Sequence, residues 1–119
     1  MPVFPDSCDF TGILALLEAI PADNFGVTLD VGHAQQCGVD LTPVIPALGR
    51  RIKHVHFHDN DGIDDQHLPL GQGTINWATV VQQLVAASYD GVVELELVSV
   101  EDLLASKEYL LQRFGDVFS

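Results

Sequence analysis

The chain has 119 residues, of which 47% are hydrophobic, so it is long and apolar enough to bury the core of one domain. Five Lys and Arg stand against 17 Asp and Glu, and the resulting net charge of −12 argues against nucleic acid as a main partner, because nucleic-acid binders normally present a basic face. The sequence shows neither a membrane span nor a signal peptide, so we expect a cytoplasmic protein. Cys8 and Cys37 show no CxxC spacing, and we expect both thiols to be reduced.

Helical and strand-like segments alternate from the start of the sequence. An apolar helix is predicted over residues 10–20, followed by a strand over residues 26–31. A short helix over residues 43–48 comes next, with Thr42 as its predicted N-cap and Pro43 in its first position.

The second half of the sequence continues this alternation. A strand over residues 52–58 leads into a polar loop, residues 59–73, and then into an amphipathic helix over residues 77–85. A third strand is predicted over residues 92–98, and Ser99 marks the start of the last helix. Strands that alternate with helices in this way are typical of right-handed βαβ units and a parallel sheet.

Within each predicted strand, apolar and polar residues alternate, although strands of a parallel sheet are usually buried on both faces and apolar throughout. The apolar face should pack against the helices, and the ionisable face must line a polar space. A barrel interior with a site at the carboxyl ends of its strands meets both demands. The apolar set is Val27, Leu29, Val31, Val55, Phe57, Val93, Leu95 and Leu97, and the polar set is Thr28, Asp30, His54, His56, His58, Glu94 and Glu96.

Three histidines, His54, His56 and His58, lie on one face of the second predicted strand because strand side chains alternate with a period of two. A single strand histidine is more often a satisfied core residue, but three on one buried face are costly unless something pairs with them. We therefore expect a metal-binding or catalytic role for at least one of them, and His56 is the best candidate.

Two further pairs combine a carboxylate with an imidazole. Asp30 ends the first strand and His33 follows it, while Asp65 and His67 form a compact D-x-H pair in the polar loop. Either pair could bind a cation. Taken alone, the first pair also fits a polar turn, and the second also fits a solvated acidic loop.

The third strand adds two carboxylates, Glu94 and Glu96, to the polar face. A buried carboxylate needs a cation or hydrogen-bonding partners, and Glu96 lies closer to the carboxyl end of the strand. Glu96 is therefore the predicted site residue, and Glu94 is interpreted as a structural or supporting group. Mixed ligation by His, Asp and Glu suits Mn²⁺, Zn²⁺, Co²⁺ or Fe²⁺.

Four segments together resemble the motifs of the xylose isomerase-like TIM-barrel superfamily. Residues 26–34 are similar to its "lDxGH" strand, residues 54–60 to "hvHxxD", residues 65–75 to "DxHxxxGxGxi", and residues 89–96 to "YdGxxxlE". The motifs occur in the family's order and cover nearly the whole chain. Members include sugar and sugar-phosphate isomerases and epimerases, inosose dehydratases and endonuclease IV-type repair enzymes.

The resemblance implies that Asp30, His56 and Glu96 bind a divalent metal ion, expected to be Mn²⁺, Zn²⁺, Co²⁺ or Mg²⁺. It also implies that Glu96 is a catalytic acid/base in an isomerase or epimerase that acts through an enediolate, with His33 as a second catalytic residue near the substrate. The expected substrate is a small sugar or sugar phosphate, and His58 and Asp59 are predicted to bind it.

An alternative resemblance is to the endonuclease IV-type phosphodiesterases, in which the positions of His33, Asp65 and His67 hold an additional zinc ion. All three residues are present, so they are possible additional metal ligands here. The acidic net charge favours the isomerase over the nuclease. A third hypothesis is a truncated, non-catalytic subunit that works by assembly.

The expected fold is α/β, a partial (β/α)₈ TIM barrel in which about three parallel strands alternate with helices. Family barrels have about 250 residues, so residues 1–119 are expected to be a C-terminal half. A further ligating glutamate of the family has no counterpart in the sequence, so we expect the isolated chain to be nearly inactive. We also expect a homo-oligomer, or a complex with a polypeptide that supplies the N-terminal half, because three strands cannot close a barrel.

Overall fold

The computed structural model describes residues 10–118 and shows one three-stranded parallel sheet with the strand order β1-β2-β3. Helices precede, separate and follow the strands, which confirms the predicted partial (β/α) barrel. The strands are β1 (Val27–Asp30), β2 (Ile52–Phe57) and β3 (Val93–Leu95), and the helices are α1 (Phe10–Ala19), α2 (Val31–Gln36), α3 (Leu41–Leu48), α4 (Trp77–Ala86) and α5 (Val100–Phe118).

The element boundaries differ most from the prediction at three places. Helix α2 begins directly after β1, where only a turn or the end of a strand was expected. The N-cap of α3 is Asp40 rather than Thr42, because the Asp40 carboxylate accepts a hydrogen bond from the Thr42 N–H at 2.9 Å. Strand β3 has three residues instead of seven, so Glu96 lies just beyond its end.

The apolar face of the sheet forms the core against the helices, as predicted. Leu29, Val55 and Phe57 are completely buried, and Trp77 at the start of α4 packs on Phe57 with ring centroids 4.7 Å apart. Burying a side chain of the size of Phe57 contributes about 2–3 kcal/mol. The core therefore fixes the orientation of β2, the strand that carries the histidines.

The opposite face of the sheet is polar, and its strand register aligns the ionisable side chains in rows. Asp30 of β1 pairs with His56 of β2, and His56 pairs in turn with Glu94 of β3. Thr28 and His54 form the row behind them. The sheet itself thus brings a carboxylate, an imidazole and a second carboxylate side by side.

Helix α5 starts at the predicted place, because the Ser99 hydroxyl accepts a hydrogen bond from the Asp102 N–H at 3.1 Å. The helix is kinked at Phe114, where the backbone has φ −134° and ψ 34°. Within residues 10–118, no helix combines the length and the apolar character that crossing a membrane requires.

Candidate metal centre

The two carboxylate oxygens of Asp30 have different neighbours: Oδ1 accepts hydrogen bonds from the protein, and Oδ2 faces the site. It is the last residue of β1 and the N-cap of α2, and its Oδ1 accepts hydrogen bonds from the His33 N–H at 2.9 Å and from His58 Nε2 at 2.7 Å. Its Oδ2 instead lies 3.9 Å from His56 Nδ1. The hydrogen bonds to Oδ1 hold the carboxylate in place and leave Oδ2 facing the polar side of the sheet.

The His56 ring lies among three carboxylates. Its Nδ1 is 2.5 Å from Glu96 Oε1 and 3.9 Å from Asp30 Oδ2, while its Nε2 is 3.1 Å from Glu94 Oε2. The His56 side chain is mostly buried, with 19% of its surface exposed. The prediction placed Asp30, His56 and Glu96 around one point, and the structure brings their side chains together.

These three side chains fit a divalent cation. One ligand atom from each of Asp30, His56 and Glu96 lies within 4.8 Å of the other two. Two ligands that each bind a cation at about 2.0–2.2 Å are separated by at most about 4.4 Å, so only small side-chain movements would complete the coordination. Two carboxylate oxygens and one imidazole nitrogen are donors that first-row divalent metals accept.

The pKa values of Asp30 and His58 move in opposite directions. Burial raises the pKa of Asp30, but the hydrogen bonds from His58 and the His33 N–H outweigh burial and lower it below its usual range. Burial lowers the pKa of His58, but its hydrogen bond to Asp30 and the nearby carboxylates outweigh burial and raise it. Asp30 is therefore held as the carboxylate that a metal ligand must be.

His58, which was predicted to bind substrate, is buried behind the site. Its side chain is 1% exposed, and its ring stacks on His67 at 3.8 Å between centroids with an interplanar angle of 4°. The ring also covers Gly32, where any Cβ would overlap it. The glycine of the D-x-G-H segment thus makes room for the imidazole that holds Asp30.

Asp59, the other residue predicted to bind substrate, is completely buried and anchors the loop between β2 and α4. Its Oδ1 accepts from the N–H groups of Asn60 at 2.9 Å and Ile75 at 3.1 Å. Its Oδ2 accepts from the Gly71 N–H at 3.0 Å and the Trp77 indole at 2.9 Å. These four donors occupy the carboxylate, which favours a supporting role over direct contact with a substrate.

The predicted D-x-H pair is formed in the loop. His67 Nε2 lies 3.0 Å from Asp65 Oδ1, and its Nδ1 donates to the Glu96 backbone carbonyl at 3.0 Å. Among the described side chains, His33, Asp65 and His67 do not form a joint three-ligand group, whereas His67 forms one with His58 and Glu96. The loop is therefore tied to the backbone at Glu96, just after β3.

His33 lies in α2, beside Cys37 in the next turn, with 3.6 Å between His33 Nε2 and the Cys37 sulfur. Cys37 is disulfide-bonded in the structure, so the expectation of a reduced thiol is wrong at this position. The other cysteine, Cys8, lies outside the described residues.

Sequence reasoning missed two features of the site. The hydrogen bond between His58 and Asp30 joins residues that are 28 positions apart, and no local pattern indicated it. The proximity of Glu94 to His56 and His54 follows from the register of β2 and β3. Period-two alternation placed these side chains on one face, but it could not say which ones are neighbours.

A family model described as a xylose isomerase-like TIM barrel matches residues 2–112 of the chain. An uncharacterised protein of Methanocaldococcus jannaschii is 39% identical over 100 residues, which cover 82% of this chain and 34% of that protein. A fructoselysine 3-epimerase of Escherichia coli O157:H7 is 23% identical over 93 residues, covering 78% of this chain and 34% of the epimerase.

Solved structures show the same likeness. A D-tagatose 3-epimerase-like protein matches with a TM-score of 0.75 and 38% identity, covering 87% of this chain and 40% of that one. The IolI protein with a bound zinc atom matches in fold, with a TM-score of 0.71 at 23% identity over 89% of this chain and 43% of that one. The matched part of the chain spans about a third, 34%, of the length of each of these two curated relatives. Because the family model covers nearly the whole sequence, the chain belongs to the xylose isomerase-like TIM-barrel family.

Proposed function

We propose that this chain carries the metal-binding part of a sugar or sugar-phosphate isomerase or epimerase. The observation that carries the proposal is the convergence of Asp30, His56 and Glu96, whose ligand atoms lie within 4.8 Å of one another. The likeness to a D-tagatose 3-epimerase-like structure and to a fructoselysine 3-epimerase supports a sugar as the substrate class.

In this proposal, Asp30, His56 and Glu96 would hold a divalent cation, which would supply the positive charge that polarises a carbonyl of the substrate. Glu96 would be one of two acid/base groups that remove and return the proton on the carbon next to that carbonyl, the second of which has no counterpart in this sequence, and His33 would contact the substrate. The pair of Asp65 and His67 supplies possible additional ligands at the rim.

We propose supporting roles for His58 and Asp59 in place of the predicted substrate contacts. His58 orients Asp30 through the hydrogen bond between Nε2 and Oδ1. Asp59 holds the loop that carries Asp65 and His67 through its four hydrogen bonds. Both residues then shape the site without touching the sugar.

Activity in this proposal needs more of the barrel than residues 10–118 provide, since those residues supply three strands and the matched segment covers only 34% of the Methanocaldococcus relative. The remaining strands of the barrel come from outside residues 10–118, as they would in a homo-oligomer or in a complex with a second polypeptide. A cytoplasmic location also stays a prediction.

Metal binding by the purified 119-residue chain tests the proposal directly. Calorimetric titration with Mn²⁺, Co²⁺ and Zn²⁺ should show binding of at least one ion, and Asp30→Asn should weaken it at least about tenfold. Asp23→Asn, at an exposed position after α1, is the matched control and should bind as the wild type does. No measurable binding of any of these ions by the wild type would overturn the proposal.

The nuclease alternative has one observation in its favour, the intact pair of Asp65 and His67 at 3.0 Å. It also requires His33 in the same ligand group, and the described side chains do not form that group. Incubation with an abasic oligonucleotide and Zn²⁺, and in parallel with a ketose and Mn²⁺, separates the two functions once the rest of the barrel is supplied. Strand cleavage without ketose turnover would favour the nuclease, and ketose turnover without cleavage would favour the isomerase.

A further inference from the structure

We infer that Glu94 is a positioning residue for His56. The Glu94 carboxylate accepts a hydrogen bond from the Nε2–H of His56, which leaves the lone pair of Nδ1 for the cation. The inference rests on the proposed metal centre and adds a residue that the predicted ligand set does not contain. It assigns separate tasks to two nearby glutamates, since Glu96, just beyond β3, binds the cation and Glu94, within β3, supports the histidine.

The two nitrogens of the His56 ring face different carboxylates. Nδ1 points toward Glu96 Oε1 at 2.5 Å and Asp30 Oδ2 at 3.9 Å, and Nε2 points toward Glu94 Oε2 at 3.1 Å. A neutral imidazole has one N–H and one lone pair, and an ionised carboxylate only accepts. With Nδ1 as the ligand atom, the proton belongs on Nε2, where Glu94 lies at hydrogen-bonding distance.

The sheet makes this contact a fixed feature of the fold. His56 and Glu94 are register partners of β2 and β3, so their side chains emerge side by side on the polar face. Glu94 and Glu96 are two positions apart and share that face. A carboxylate that accepts the second N–H of a ligating histidine fixes its tautomer and ring orientation and raises its basicity as a ligand.

A competing interpretation is that Glu94 is itself a ligand, because His54, His56 and Glu94 also offer three ligand atoms within 4.8 Å. His56 would then have to use Nε2, and a neutral ring cannot offer lone pairs from both nitrogens at once. The side chain of Glu94 is also 52% exposed, against 17% for Asp30, 19% for His56 and 30% for Glu96. The group of Asp30, His56 and Glu96 is more enclosed than the group that contains Glu94, so it is the better metal centre. Glu94 therefore keeps the supporting role.

Two substitutions at Glu94 test the inference in the full chain, with the same substitutions at the exposed Glu18 of α1 as controls. Calorimetry with Co²⁺ should show affinity reduced about 10–100-fold in Glu94→Ala and less in Glu94→Gln, because an amide oxygen still accepts from Nε2. The number of Co²⁺ ions bound per chain should be the same in both Glu94 variants as in the wild type. Glu18→Ala and Glu18→Gln should bind Co²⁺ with wild-type affinity.

The nitrogen of His56 that binds the metal provides a second readout. Without a cation, Nδ1 lies 2.5 Å from Glu96 Oε1, which also accepts a proton, so the metal-bound protein is the state that isolates the contact with Glu94. ¹⁵N NMR of the Zn²⁺-loaded wild type should show the metal on Nδ1 of His56 and the proton on Nε2. Wild-type Co²⁺ affinity in Glu94→Ala, loss of one whole equivalent of Co²⁺, or a metal-bound Nε2 in the wild type would each overturn the inference. If the wild type binds neither ion, the proposed metal centre itself fails, which differs from bound metal whose affinity Glu94→Ala leaves unchanged.

Discussion

Gly32 shows how a single missing side chain shapes the site. The His58 ring lies where a Cβ of residue 32 would be, and the same ring holds Asp30 Oδ1 at 2.7 Å. The Asn60 side chain fastens this region further by donating to the Gly32 carbonyl at 2.7 Å. Asp30 can therefore keep its position only if residue 32 is glycine.

Gly32→Ala should displace the His58 ring and lower the free energy of unfolding by about 2 kcal/mol, the usual effect of overpacking a filled site. Co²⁺ affinity should fall with it, because Asp30 loses its support. Urea denaturation and calorimetry measure the two effects. Gly115→Ala is the control, since a Cβ at that position in α5 meets no atom within 4 Å and should leave both quantities unchanged or raise stability slightly.

A second prediction at the scale of one residue concerns Asp59. Asp59→Asn replaces an acceptor of four hydrogen bonds with a group that accepts through one oxygen only, so the free energy of unfolding should fall by about 3 kcal/mol. Asp116→Asn, at an exposed position in α5, should leave it within about 0.5 kcal/mol. Equal denaturation midpoints for the two variants would contradict the anchoring role.

At the scale of the elements, side-chain caps set where the helices begin. Asp40 caps α3, and Asn76 caps α4 by accepting from the Thr79 N–H at 3.2 Å. Helix α4 starts with Trp77, which also donates to the loop anchor Asp59. The cap at Asn76 thus orders the end of the loop as well as the helix.

Removing this cap with Asn76→Ala should lower the free energy of unfolding by about 1 kcal/mol, while Asn76→Ser, which restores an oxygen acceptor, should recover most of it. Chemical denaturation of the three proteins measures the difference. An alanine variant as stable as the serine variant would show that the cap contributes little.

The cap of α3 predicts a pH dependence. The backbone N–H of Thr42 lowers the pKa of Asp40 below its usual 3.8, so its stabilising effect is complete above that value and is lost as the pH falls through the lowered pKa. Asp40→Asn keeps a capping oxygen but does not titrate. Between pH 6 and pH 2.5, the urea midpoint of the wild type should therefore fall further than that of Asp40→Asn.

At the scale of the whole molecule, the described residues leave the sheet open. Three strands have two edges and an inner polar face, and apolar side chains near the end of β3, such as Val92, Val98 and Val100, are exposed. Open edges and exposed apolar groups favour association with other chains. The family barrel offers the matching arrangement, with further strands beside β1 and β3.

We predict that the chain associates with other copies of itself. Sedimentation of the purified chain should show species heavier than a monomer at micromolar concentration, because closing the sheet buries its exposed edges and apolar side chains. Turnover of a ketose with Mn²⁺ or Co²⁺ should be near background for the isolated chain and should rise when the rest of the barrel is supplied. A stable monomer with robust turnover would contradict both expectations.

The sequence by itself determined the order of helices and strands and the polar face of the sheet, and it proposed Asp30, His56 and Glu96 as ligands. Those features follow from local periodicity and motif spacing, which act within a few residues of the chain. Only the tertiary structure decided the neighbours: the row from Asp30 through His56 to Glu94, and the burial of His58 and Asp59. Register and burial depend on contacts between residues that are distant along the chain, and local periodicity carries no information about them.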